Sequence, residues 1–134
     1  MKKFTADFET AVWLEDETWV WAWATCEIGN EENLTIGNNI ESFIEYCKNE
    51  KNSIFYFHNL KFDGEFIIYW ALKNGFTHVE KKEDIKENTF TTLISDMGQF
   101  YQITLIVLSF RQALKREQRL LQWYRWKQRL NNHS

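Results

Sequence analysis

Ser53-Ile54-Phe55-Tyr56-Phe57-His58-Asn59-Leu60-Lys61-Phe62-Asp63-Gly64 runs from a compact apolar segment straight into polar residues. Its first five residues are short and rich in aromatics, which reads as a buried, central strand. Residues 58–64 read as a loop leaving that strand's carboxyl end, and residues 65–74 as a helix stopped by Gly75. Upstream, residues 3–8 form an expected first strand ending at Asp7-Phe8-Glu9-Thr10. Residues 19–28 form a second, with Trp19, Trp21, Trp23 and Thr25 on one face and Val20, Ala22, Ala24 and Cys26 on the other. Gly29-Asn30 marks a turn and residues 34–36 a short third strand. Asn38 is the expected N-cap of a helix, with Glu41 completing an Asn form of the capping box. Ile40, Phe43, Ile44 and Cys47 give that helix one apolar face. Strand, crossover helix and strand together define a mixed α/β sheet flanked by helices. Downstream, residues 81–87 are a solvated charged loop, and residues 90–95 and 99–105 pair as a hairpin across Asp96-Met97-Gly98. From 108 to about 130 the pattern reads as a helix without an internal breaker.

The chain has 134 residues, room for one domain with a substantial core. Hydrophobic residues make up 44% and aromatics 17%, enough buried area to offset the ordering entropy, so wholesale disorder is excluded. No apolar run approaches the roughly 18 residues of a membrane span. Met1-Lys2-Lys3-Phe4 is followed too soon by Asp7 and Glu9 for a signal peptide. Cys26 and Cys47 make no disulfide framework and read as buried thiols in a reducing cytoplasm. The net charge of −3 conceals a division. Residues 1–106 hold nine Lys/Arg against eighteen Asp/Glu, whereas residues 107–134 hold seven against Glu117 alone. The first part repels nucleic acid unless cations intervene; the second attracts it.

Asp7 and Glu9 lie two apart on a strand and leave it from one face. Such a pair suits a divalent cation, which prefers carboxylate oxygen, or simply a solvated strand edge. Asp63 stands between a buried strand and a helix, where α/β sheets bind ligands. His58, Asn59 and Lys61 offer donors to phosphates or bases, and Tyr56, Phe57 and Phe62 offer flat faces for stacking. The alternative is an ordinary loop with an aromatic plug.

Asp7-Phe8-Glu9-Thr10, Tyr56-Phe57-His58-Asn59-Leu60-Lys61-Phe62-Asp63-Gly64 with Phe66-Ile67-Ile68, Asn74-Gly75-Phe76, and Ile94-Ser95 with Met97-Gly98-Gln99-Phe100-Tyr101 carry a resemblance. In order and spacing, about residues 1–105 resemble the N-terminal 3′–5′ exonuclease domain of protein-primed, family-B phage DNA polymerases. The resemblance implies a ribonuclease-H-like fold, with one proofreading motif at Asp7 and Glu9 and a second at Asn59 and Asp63. It implies Asp7, Glu9 and Asp63 as ligands of Mg²⁺ or Mn²⁺, and Thr10, His58, Asn59 and Phe62 as contacts to a single-stranded DNA 3′ end. Chemistry of this kind uses two ions ~3.5–4 Å apart, one activating water and the other stabilising the leaving oxygen.

The family's third motif, a Tyr with an Asp four residues later, is expected after residue 105, yet the last Asp is Asp96 and Tyr124 is followed by Gln128. The sequence therefore reads as a truncated proofreading domain of phage origin, residues 1–106, incomplete at its C-terminus, with a non-family basic helix at 107–134. The expected activity is weak or absent, and a chain this short holds no polymerase site. The tail could cover the sheet, pair two copies, bind a protein partner or DNA phosphates as a catalytically dead module, or fray. The expected setting is the cytoplasm of a bacterial host, with no membrane partner.

Overall fold

The computed structural model describes residues 1–12, 18–94, 100–106 and 108–114. Strands β1 (Lys2–Val12), β2 (Thr18–Glu27) and β3 (Asn30–Gly37) form an antiparallel meander. Helix α1 (Ile40–Asn49) then leads to β4 (Ser53–Phe57), which pairs parallel to β1. Helix α2 (Leu60–Lys73) follows, with β5 (Thr77–His78), a 3-10 turn (Lys82–Asp84), β6 (Thr89–Ile94), β7 (Phe100–Leu105) and β8 (Leu108–Gln112). The eight strands make one mixed sheet in the order β3-β2-β1-β4-β8-β7-β6-β5. The expected α/β class is thus the one observed.

Alternation on β1 sends Phe4, Ala6 and Phe8 to the core face. There Phe4 stacks on Phe55 at 4.9 Å, and Phe55 meets Phe110 at 5.9 Å, because the three stand abreast on β1, β4 and β8. The apolar faces of both helices close over this row: Phe43, Ile44 and Cys47 from α1, and Leu60, Ile67, Trp70 and Ala71 from α2. Cys26 and Cys47 are both buried thiols, as the sequence implies. No helix among the described residues is long and apolar enough to cross a membrane.

Several boundaries differ from the sequence reading. Residues 108–112 are not the start of a helix. Leu108–Gln112 is a central strand, hydrogen-bonded to β4 on one side and β7 on the other. Residues 115–134, which carry most of the expected basic helix, lie outside the described residues, as does the hairpin connection 95–99. The tryptophan face of β2 is broken. Glu9 pairs with Ala22 but Thr10 with Val20, so Trp21 is an extra residue in the ladder. Val20 and Trp23 are therefore buried, while Trp21 is 51% exposed. The α1 cap is Asn39 rather than Asn38, and its side chain accepts from the Ser42 amide at 2.8 Å. Tyr56 and Phe57 are buried and so are unavailable for stacking on a base.

Trp23 lies flat over Gly37 and donates its indole N–H to Ser42 Oγ at 2.9 Å. A Cβ at Gly37 would occupy the space of the indole ring. Gly37→Ala is expected to destabilise the fold by about 1–3 kcal/mol through overpacking. The check is a lowered urea midpoint with an unchanged slope.

Burial, reinforced by the Glu50 charge, pushes the Cys47 thiol well above its ordinary 9.0. The folded state thus binds the thiol proton more tightly than the unfolded chain does, so this group's contribution to stability falls as pH rises above about 9. Iodoacetamide at pH 8 is expected to spare Cys47 in the folded protein and to label it in denaturant, read by peptide mass mapping. Full labelling of the native protein would contradict the burial.

Candidate functional site

Of three parallel strands, β4 and β8 end level with each other beside the middle of β1. The β1–β4 register runs to Ala6 opposite Phe57, and the β4–β8 register to Phe57 opposite Gln112. Everything immediately beyond that row lies at the carboxyl rim of the sheet, where open α/β sheets take ligands. Asp7 and Glu9 continue β1 past the row. His58 and Asn59 leave β4 there, and α2 begins at Leu60.

The expected loop at 58–64 is therefore only two residues long, and Asp63 belongs to the first turn of α2. Its amide and that of Phe62 donate to the Asn59 carbonyl at 3.0 and 3.2 Å. Asp63 lies on the buried stripe of the helix with Leu60, Gly64 and Ile67, and is 8% exposed. The partial positive charge of the helix start favours a carboxylate at this position. A Cβ on Gly64 would come within 2.9 Å of Ile103 Cδ1, so glycine is what lets this turn approach β7 so closely. On the outer side His58, Asn59 and Lys61 are exposed, and Phe62, 44% exposed, sits edge-on to Phe66 at 5.5 Å. Phe62 and Phe66 belong to an open cleft of about 920 Å³, lined also by Trp19, Glu65, Tyr69 and Lys73.

Asp7 and Glu9 share a face, as alternation demands, but it is the face opposite Phe8 and the helices. Thr10, on the core side of β1 by the same alternation, is half-buried. The fold thus brings Asp7, Glu9 and Asp63 to one rim from two sides of the sheet. Their donor chemistry suits a hard divalent cation. Among the described residues, however, no three Asp, Glu, His or Cys side chains come together as a group able to hold a metal ion.

Sequence reasoning missed Gln112. From the end of β8 its Oε1 accepts the Leu60 amide at 2.9 Å, and its Nε2 donates to the His58 carbonyl at 2.6 Å. Beside it the Ala113 amide donates to the Phe57 carbonyl at 2.7 Å. The assignment of residues 108–130 to a helix hid this contact, because Gln112 reaches the rim only if β8 is a strand.

No protein-family model matches the chain. In sequence and in fold the chain is similar to phage DNA polymerases. Over most of its length the chain is homologous to the phi29-family enzymes among them, which bears out the resemblance read from residues 1–105. It is 43% identical to the DNA polymerase of Bacillus phage Nf over 104 residues, covering 78% of this chain and 17% of that protein. It is 40% identical to the DNA polymerase of Bacillus phage phi29 over 104 residues, with the same coverage. The solved phi29 DNA polymerase complexed with single-stranded DNA superposes with a TM-score of 0.73 at 33% identity, covering 85% of this chain and 21% of that one. The chain thus spans about a fifth of the length of the proteins it matches.

Gly64→Ala is a sharp test of the close approach of α2. On an exposed helix, Gly→Ala gains up to about 1 kcal/mol. At Gly64 the clash with Ile103 should reverse the sign, giving a net loss of about 1 kcal/mol in chemical denaturation.

Proposed function

We propose that the chain is a proofreading-type, 3′–5′ exonuclease-like domain that takes the 3′ end of single-stranded DNA at the carboxyl rim. In this reading Thr10, His58, Asn59 and Phe62 contact the strand, and Asp7, Glu9 and Asp63 are ligands of Mg²⁺ or Mn²⁺. The observation that carries it is the homology to phi29 DNA polymerase, a protein solved in complex with single-stranded DNA, over the residues that build the rim. The order β3-β2-β1-β4, with β1 parallel to β4 and both helices on one face, is consistent with a ribonuclease-H-like ancestry.

The residues suit the task. Phe62 presents an exposed ring, and stacking a base on such a ring contributes roughly 1–3 kcal/mol. Asn59 and His58 are exposed beside it as partners for phosphate or base edges. A bound divalent cation would polarise the scissile phosphate and lower the pKa of a coordinated water. The acidic balance of residues 1–106 makes such a cation a condition for bringing phosphates to this rim. With no Asp after Asp96, this 134-residue chain offers three carboxylates where two-ion sites use about four, so turnover should be weak or absent.

The test follows 5′-labelled single-stranded DNA by fluorescence anisotropy and by gel, in Mn²⁺ and in EDTA. Binding is expected in Mn²⁺ and weakened by EDTA, with Phe62→Ala losing roughly tenfold in affinity. Shortening is expected to be slow or undetectable. Absence of binding in Mn²⁺ at low salt would sink the proposal. Robust stepwise shortening abolished by Asp7→Ala would overturn the expectation of weak turnover.

A further inference from the structure

Both α-helices among the described residues begin with an asparagine at the cap position, and the two asparagines behave differently. Asn39 has the extended backbone of an ordinary cap, with φ −160° and ψ 167°, and its side chain accepts the Ser42 amide. Asn59 has φ −135° and ψ 77°, and its side chain makes no capping hydrogen bond. A helix start leaves several amides without partners, and a buried start must find substitutes for the missing intrahelical bonds. At α2 one substitute comes from the neighbouring strand β8.

The Gln112 carboxamide is bidentate. Its oxygen takes the Leu60 amide at 2.9 Å and its nitrogen gives to the His58 carbonyl at 2.6 Å, two groups that flank Asn59. The Leu60 bond has an ordinary length, and the His58 bond is short. Gln112 stands one row beyond the buried Phe110 on the core side of β8, level with Phe57. The side chain therefore spans a fixed gap between two hydrogen-bonded strand ends.

We propose that Gln112 is the positioning residue of the rim: by clasping the His58 carbonyl and the Leu60 amide from β8, it fixes the two backbone groups that flank Asn59 and so holds the Asn59 carboxamide toward the DNA strand. This rests on the reading of the rim as a single-stranded DNA site. Removing Gln112 strands the Leu60 amide and releases the His58–Asn59 turn from β8, so that the Asn59 carboxamide loses its fixed direction. DNA affinity then falls although no group contacting DNA has been deleted.

Two measurements decide the matter. The first needs no DNA: amide exchange at Leu60 and the NMR shift of the Asn59 side-chain NH₂ in wild type and in Gln112→Ala. Faster Leu60 exchange with a moved Asn59 signal supports the clasp; unchanged spectra overturn it. The second is a double-mutant cycle on binding of oligo(dT) in Mn²⁺, with thermal melting to confirm folding. Gln112→Ala and Asn59→Ala are each expected to weaken binding roughly tenfold, and the double variant by about the same factor rather than a hundredfold. A multiplicative double variant, or a Gln112→Ala protein that binds as wild type, would overturn the proposal. Should wild type fail to bind oligo(dT), the DNA reading falls, and the exchange measurement still judges the clasp.

Discussion

The parallel pairing of β1, β4 and β8 is the constraint from which the rest of the structure follows. Residues 2–6, 53–57 and 108–112 are far apart in sequence, and only a shared ladder brings their carboxyl ends level. Hydrogen bonds alone would permit a register slip. A slip of one residue would throw Phe4, Phe55 and Phe110 out of a common core row and onto the opposite face. The Phe4–Phe55–Phe110 row, capped from the helix side by Phe43, therefore fixes the register as well as filling the core.

One row later the core face changes character. Ala6, Phe57 and Gln112 stand abreast, and the outermost of them is polar. At that position an apolar side chain would pack no better, because the sheet ends and the α2 amides begin. The glutamine turns the edge of a hydrophobic layer into a hydrogen-bonded seat for a helix start. Gly64 does the complementary work one turn up, letting α2 settle against Ile103. Together they hold Asp63 buried and the His58–Asn59 turn exposed, two environments only a few residues apart.

Features set by near neighbours were legible in the sequence. Ser53–Phe57 was readable as a strand, the 3-1-3 spacing of Ile40, Phe43, Ile44 and Cys47 as a helix face, and Gly75, at φ +84°, as a helix stop. The Asp7/Glu9 pair was correctly placed on one strand face. Features set by distant partners were not legible. Gly64 looked like a loop residue because nothing nearby announces Ile103, and α2 was started too late for that reason. Residues 108–112 run without a breaker into the basic tail and so read as helix, whereas pairing on both flanks makes the segment a strand. The Trp21 bulge left no trace in the alternation that it breaks. Gln112 acts on Leu60 across 52 residues, a contact no local pattern encodes.

The three carboxylates of the rim are not physically equivalent, and that bears on how such a site is maintained. Asp63 sits in the first turn of α2, where the helix dipole favours its charge whether or not a cation is present. Asp7 and Glu9 have no helix start beneath them. Two residues apart on one strand face, they stand roughly 7 Å from each other, a separation at which like charges repel by about 0.6 kcal/mol even in water. No packing advantage accrues to that pair, since Phe4, Ala6 and Phe8 already supply the buried side of β1. The start of α2 therefore favours charge at Asp63 in a way that a strand does not at Asp7 and Glu9.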